Sequence, residues 1–325
     1  MSTFQYGEID FAGIDMKKLA AIDIGTNTAL LLVAEISADG TISPLYEQEE
    51  IVRLGEDVDK NKNLKPVAME RVKRALIQYR KIIDDIQVDE LMISGTSAVR
   101  DAGNREELLS QIQAVAGVEM QVLSGKQEAA LTFFGALSNK PELQDRIFLV
   151  DIGGGSTEFI LGDQTNIFFA ESLDIGSVRL TEKTIHSDPV CDTDLHAMRQ
   201  VIKQGILSIS EHLKTQCEHF VGVAGTMTTL AAMQQKMESY RPELVDNTVL
   251  TLAQITDMIE RLQSTTLAAR QKIPGLRKER ADVILAGSII VQEVMEHCHF
   301  QEVVVSDRGL RYGLLLKLMK DRRVL

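Results

Sequence analysis

Residues 20–33 read Ala-Ala-Ile-Asp-Ile-Gly-Thr-Asn-Thr-Ala-Leu-Leu-Leu-Val, and residues 148–161 read Phe-Leu-Val-Asp-Ile-Gly-Gly-Gly-Ser-Thr-Glu-Phe-Ile-Leu. Each is an apolar, β-prone run that reaches Asp-Ile-Gly, turns through small residues with hydroxyl or amide groups, and re-enters an apolar run. That pattern predicts a strand, a tight polar turn and a returning strand, written once per half. Glycine in such a turn lets backbone N–H groups approach an anion, the hydroxyls add donors, and the aspartate holds a cation or orients water. Two facing copies would make a phosphate-and-metal clamp.

A chain of 325 residues exceeds the usual size of one core, and the repeated phrase predicts two related domains. A 44% hydrophobic and 25% charged composition is that of a soluble globular protein. No apolar run approaches the ~18 residues of a membrane span, and no basic-then-apolar leader is present, so a cytoplasmic protein is expected. Cys191, Cys217 and Cys298 form no CxxC, and neither His297-Cys298-His299 nor Cys217-Glu218-His219 has metal-ligand spacing, which argues against zinc. A net charge of −12 argues against nucleic acid as a partner, but a local basic cleft with a divalent cation still admits a polyanionic ligand. Arg53, Arg100, Arg105, Arg179, Arg308 and Arg311 fall near turn segments, whereas Arg277 to Arg280 and Lys317 to Arg323 read as solvated helix surface.

Along the chain, residues before Lys17 read as a flexible extension. Met69, Val72, Leu76, Tyr79 and Ile83 recur at helical spacing behind Pro66, predicting a helix to about Gln87. A strand near Leu91–Ile93 delivers Gly-Thr-Ser-Ala-Val-Arg at 95–100. Asn104 and Ser124 each read as a helix cap with Glu107 or Gln127 three residues on, which puts Glu128 in a first helical turn at the end of a strand. Further helices are expected from Asp192 to Leu213, from Thr251, again box-like, and from Arg280 to His297. Strands and helices alternate throughout, which is α/β with mixed sheets.

The turns exclude several chemistries. Asp-Ile-Gly-Gly-Gly-Ser-Thr-Glu feeds a strand and not the helix of a dinucleotide fingerprint, and Gly125-Lys126 is followed by Gln127, so no Walker A loop is present. HExxH and GxSxG are absent. What remains is phosphate held by amides and hydroxyls, a metal held by Asp23 or Asp151 through water, and a carboxylate that activates water. This set suits phosphoryl transfer to water.

Seven phrases in order carry a family resemblance: Asp-Ile-Gly-Thr-Asn-Thr, Gly-Thr-Ser-Ala-Val-Arg-Asp-Ala, Ser-Gly-Lys-Gln-Glu-Ala, Val-Asp-Ile-Gly-Gly-Gly-Ser-Thr-Glu, Gly-Ser-Val-Arg-Leu-Thr-Glu, Ala-Gly-Thr-Met-Thr-Thr-Leu-Ala and Ser-Asp-Arg-Gly-Leu-Arg-Tyr-Gly-Leu-Leu. Over about Lys17 to Leu316 the chain resembles the exopolyphosphatase and guanosine pentaphosphate phosphohydrolase (Ppx/GppA) family in its short two-domain form. The resemblance implies two ribonuclease-H-like domains of the actin-like ATPase superfamily, each a mixed sheet flanked by helices, with a cleft between them. The expected division is an extension at 1–17, domains at 18–131 and 132–310, and a terminal helix at 311–325.

By that resemblance Glu128 matches the catalytic glutamate that activates water, and Asp151 and Glu158 match the acidic pair associated with Mg²⁺. Asp23, Gly25, Thr26, Asn27 and Thr28 would form one phosphate loop and Gly153, Gly154, Gly155, Ser156 and Thr157 the other, with Ser97, Arg100 and Arg308 as further phosphate contacts. The implied activity is Mg²⁺-dependent release of orthophosphate from inorganic polyphosphate, in a homodimer, with no nucleic-acid or membrane partner. The family commonly has serines where Thr26 and Thr28 stand, which implies a slightly tighter loop. It also commonly has an acidic residue before the catalytic glutamate, and here Lys126-Gln127 replace negative charge with positive and neutral, a change that favours a longer or more highly charged polyanion. A two-domain chain offers fewer phosphate sites, so short polyphosphate is the expected substrate. Guanosine pentaphosphate hydrolysis, a non-catalytic alarmone- or polyphosphate-binding regulator and a sugar kinase are the alternatives. Retention of Glu128, Asp151 and Glu158 weighs against the regulator, and the Ser124–Glu128 element has no role in a kinase.

Overall fold

The computed structural model describes residues 4–5, 17–37, 41–213 and 217–321. The chain forms two compact units: residues 5–138 with 309–325, and residues 139–308 with 1–4.

In the first unit Lys17–Ile24 and Thr28–Ile36 pair antiparallel, so the first Asp-Ile-Gly phrase is the predicted hairpin. The five-stranded sheet runs in the order Ile42–Ile51, Thr28–Ile36, Lys17–Ile24, Glu90–Gly95, Met120–Val122, with the last two parallel to Lys17–Ile24 in direction. Period-two alternation sends the hairpin's side chains to opposite faces. Ala20, Ile22, Ile24, Leu31 and Val33 join a core with helices Pro66–Ile86 and Arg105–Ala116. Leu19, Ala21, Leu32 and Ala34 join one with helices Gly125–Leu137 and Leu310–Asp321. A sheet buried on both faces reads as a continuous apolar run, which is why Ala29–Ala34 shows no polar alternation.

The last two helices meet through glycine. A Cβ on Gly313 would lie 2.0 Å from the Leu131 carbonyl oxygen, and one on Gly135 would lie 2.2 Å from that of Gly309. The expected boundary between 131 and 132 would cut helix Gly125–Leu137, and this contact explains why the chain divides after Ser138 and the terminal helix joins the first unit. Residues 322–325 and most of the expected 1–17 extension lie outside the described residues, with Phe4–Gln5 an edge strand of the other sheet.

The second unit holds a seven-stranded sheet, ordered Phe4–Gln5, Asn166–Leu173, Thr157–Gly162, Ile147–Ile152, His219–Val223, Glu302–Val305, Val249–Thr251. Ile147–Ile152 and Thr157–Gly162 form the second antiparallel hairpin, and His219–Val223 runs parallel to Ile147–Ile152. Its core brings Phe148, Val150, Ile152 and Phe220 against helices Asp192–Leu213, Ala224–Gln234, Leu252–Gln263 and Ile284–Cys298. Both sheets are therefore mixed and flanked by helices, the duplicated α/β plan expected. No described helix is long and apolar enough to cross a membrane.

Candidate active site

In the first unit the hairpin turn closes with the Gly25 N–H on the Thr28 carbonyl at 2.8 Å. The Asn27 carbonyl accepts from the N–H groups of Val52 (3.0 Å) and Arg53 (2.9 Å), and the Thr26 carbonyl accepts from Gly55 (2.8 Å). A trans peptide sets C=O and N–H on opposite sides, so this bracing turns the N–H groups of Asn27 and Thr28 the other way. Gly55 is required here, since its Cβ would fall 2.2 Å from the Thr26 methyl. The methyl that distinguishes threonine from serine in this loop is thus packed on a glycine. Arg53 carries the bracing in the left-handed region, φ 46°, a strained conformation for a non-glycine residue. Asp23 accepts a long bond from the Ser94 hydroxyl at 3.5 Å.

Glu128 sits where the cap predicts. The Ser124 hydroxyl accepts from the Gln127 N–H and the Gln127 side chain accepts from the Ser124 N–H, a complete capping box. Glu128 follows in the first turn, 7% exposed. Arg100 Nη1 donates to Glu128 Oε2 at 2.9 Å and to the Leu123 carbonyl at 3.0 Å. Arg100, expected on phosphate, here joins the strand end to the helix start and holds the carboxylate. Ser97 is 2% exposed, and its Oγ has no hydrogen-bond partner among the described residues.

In the second unit the turn is held through its carbonyls. Gly153 O accepts from the Ser177 N–H (2.9 Å), Gly154 O from Val178 (2.9 Å) and Arg179 (3.1 Å), and Gly155 O from Arg179 Nε (2.8 Å). By peptide planarity the N–H groups of Gly154, Gly155 and Ser156 face away from helix Ser177–Thr184, as an anion-binding loop requires. The helix approaches so closely that a Cβ on Gly176 would lie 2.3 Å from Gly154 O.

Two hydroxyls expected on phosphate are committed elsewhere. Thr157 is fully buried and donates to the Ile175 carbonyl, so it anchors the loop. The Ser156 hydroxyl donates to Glu158 Oε1 at 2.9 Å. The backbone of this loop, and not these side chains, is what it presents to an anion. Asp151 and Glu158 are register partners across the hairpin, so both carboxylates leave the same face. They are 9% and 1% exposed. Ser172, the next register partner, also donates to Glu158 Oε1, at 2.7 Å. Arg308 is half-buried in the same unit, after the strand Glu302–Val305.

The Ppx/GppA phosphatase family matches residues 32–322. The chain belongs to this family. Exopolyphosphatase 2 of Mycobacterium tuberculosis is 31% identical over 93% of this chain and 99% of its own length. A bifunctional 3-dehydroquinate synthase/phosphatase of Fusobacterium nucleatum is 34% identical over 93% of this chain, which spans only 47% of that protein. Among solved structures, an exopolyphosphatase from Cytophaga hutchinsonii superimposes with a TM-score of 0.87 at 28% identity, covering 94% of this chain and 98% of its own. The Aquifex aeolicus Ppx/GppA family member gives 0.80 at 30% identity, covering 95% and 99%.

As a Ppx/GppA phosphatase this chain is a hydrolase, and the fit of a hard cation can be tested on its donors. Among the described residues no three His, Cys, Asp or Glu side chains gather at one point. Two carboxylates on one sheet face suit Mg²⁺, which takes one or two carboxylates and completes its shell with water and substrate phosphate. Several residues that shape this Ppx/GppA site escape a sequence reading. The 52–55 brace and Ser172 act through register or backbone bonds and leave no local motif. Arg280 was expected on solvated helix surface; it sits in the short 3₁₀ turn Lys278–Arg280, its guanidinium against the α-carbon of Gly225, where a Cβ would meet Nη1 at 1.7 Å. Asn104 precedes a helix as expected but makes no side-chain cap; its amide is spent on Leu64 N–H and C=O at 2.7 and 3.0 Å.

Proposed function

We propose that the protein is an exopolyphosphatase that removes the terminal phosphoryl group of short inorganic polyphosphate as orthophosphate. The observation that carries this reading is Glu128, buried at a capped helix start with its carboxylate fixed by Arg100. A buried, oriented carboxylate on a phosphatase scaffold is a general base for water. Such a base contributes about 10²–10⁴ in rate. The similarity to M. tuberculosis exopolyphosphatase 2 over 99% of that protein's length supports the substrate class.

In this mechanism Glu128 takes a proton from the water whose oxygen forms the new bond to the terminal phosphorus. The bridging P–O bond breaks, and the shortened chain keeps the bridging oxygen. In the unit that carries Glu128, the amides of the Gly25–Thr28 turn are suited to hold phosphoryl oxygens, as is Ser97, a buried hydroxyl with no partner among the described residues; in the other unit the amides of the Gly153–Ser156 turn and Arg308 are suited to the same task. Asp151 and Glu158 would hold Mg²⁺, which when bound would neutralise phosphate charge. Ser156 and Ser172 keep Glu158 oriented for that role.

The test is orthophosphate release, with Mg²⁺ or chelator, from short polyphosphate, long polyphosphate, guanosine pentaphosphate and ATP side by side. Metal-dependent release fastest from short polyphosphate is expected, and Glu128→Gln should abolish it while polyphosphate binding persists. Full turnover in that variant removes Glu128 as the base; fastest release from the guanosine nucleotide reassigns the substrate.

A further inference from the structure

Lys140 is a fully buried cation that the chemistry above does not use. Its Nζ donates to Asp246 Oδ1 at 3.1 Å and to Asn247 Oδ1, and its carbonyl accepts from Gln164 Nε2 at 2.8 Å. Asp246 also accepts from Asn139 Nδ2 at 2.9 Å and from the Asp307 N–H at 3.1 Å. Asn247, left-handed at φ 65°, donates its N–H to the Val305 carbonyl at 2.9 Å. Burial pushes the Asp246 carboxyl up, but the bonds from Asn139 and Lys140 outweigh it and hold the group below the usual range. It is ionised at neutral pH.

A buried ion pair seldom repays its desolvation in stability, so its placement points to a role in specifying structure. The chain passes between its two units twice, after Ser138 and after Arg308. Asn139 and Lys140 are the first residues past one passage, and Asp307 and Arg308 the last before the other. Side chains of the first segment and a backbone amide of the second converge on one carboxylate. Within the second segment the Ser306 hydroxyl donates to the Arg308 carbonyl at 3.1 Å, and the Ser306 N–H to the Gly222 carbonyl at 2.9 Å.

We propose that Asp246 is a positioning residue for phosphate binding: its carboxylate clasps Asn139–Lys140 to Asp307 and fixes the backbone from which Arg308 binds substrate. This rests on the reading that Arg308 contacts phosphate. The carboxylate does not touch substrate; it acts by denying the 306–308 segment alternative conformations.

The experiment is a cycle on the full chain with Asp246→Asn, Arg308→Gln and the double variant, measuring kcat and KM for short polyphosphate. Loss of a charge-assisted bond on the segment should raise KM about five- to tenfold in the wild-type background with kcat nearly unchanged. In the Arg308→Gln background the same change should move KM less than about twofold. An equal rise in both backgrounds, or none in either, overturns the proposal. Since Asp246→Asn strands the buried Lys140, the paired variant Lys140→Met with Asp246→Asn serves if the single one folds poorly. Amide hydrogen exchange separates the two readings. If Arg308→Gln alone leaves KM unchanged, or polyphosphate is not a substrate, the phosphate reading fails and exchange decides the clasp. Faster exchange at Asp307 and Arg308 with helix Ile284–Cys298 unaltered upholds it; unaltered exchange at Asp307 and Arg308, or uniform acceleration through the unit, refutes it.

Discussion

Replacing Arg100 by Gln separates an arginine that serves Glu128 from one that serves phosphate alone. The 2.9 Å pair is sheltered, with side-chain exposures of 24% for Arg100 and 9% for Glu128. Removing the guanidinium deletes a charge-assisted hydrogen bond to the carboxylate, worth about 1.5–3 kcal/mol. If that bond is what holds the base in line with its water, the same energy, at 1.36 kcal/mol per factor of ten, corresponds to a fall in kcat of about ten- to a hundredfold. Water entering beside the Arg100 position recovers part of this, placing the expected fall at about tenfold. An arginine that orients the base lowers kcat, whereas one that only grips phosphate raises KM. The assay is kcat and KM for short polyphosphate in both proteins. A variant with a raised KM and an unchanged kcat would show that Arg100 acts only on substrate. Unchanged kcat and KM would show that the ion pair has no part in the chemistry.

Gly313→Ala should destabilise the protein by about 1–3 kcal/mol in urea unfolding, since the new methyl meets backbone of Leu131, which cannot rotate aside, and this exceeds the gain in helix propensity. Equal or greater stability would refute the close helix contact. The three thiols should differ in alkylation. Cys191 is exposed, and a hydrogen bond from Ser187, with the N–H of Asp194, holds its thiol below the usual range. Burial pushes Cys217 up to about 11 and Cys298 up to about 12. A lowered value means more thiolate at neutral pH, so iodoacetamide mapping by mass should find Cys191 labelled first. Cys217 and Cys298 should label only as the pH approaches their raised values; Cys298 labelled ahead of Cys191 at neutral pH contradicts the burial assignment.

The hairpins at 20–33 and 148–161 were legible because strand period, Asp-Ile-Gly and the small-residue turn all agree locally. The Ser124 and Thr251 boxes were legible for the same reason, and both form. Asn104 shows the limit: the same local signal lost to a tertiary partner, Leu64, forty residues away. Thr157 shows another. A hydroxyl beside a glycine turn reads as a phosphate donor, but the strand that follows carries it to the interior face, where the Ile175 carbonyl takes it. The bracing of Thr26 and Asn27 by 52–55, and the pairing of Arg100 with Glu128, depend on contacts that no spacing encodes. The boundary after Ser138 was equally hidden, because it is set by two glycines that let separate helices touch.

Helix Leu310–Asp321 completes a core whose other members were made long before it. Leu314 and Leu315 cover the sheet face of Leu19, Ala21 and Leu32. Residues 139–308 are continuous, so that unit has nearly its whole sequence as soon as Arg308 leaves the ribosome, whereas the half bearing Glu128 waits for Asp321. At about 5–20 residues per second the wait from Ser138 is on the order of ten to forty seconds. Throughout it an apolar sheet face on the nascent chain lacks one of the two helices that cover it. The half made first is therefore finished last, and any need for chaperone protection falls on that interval.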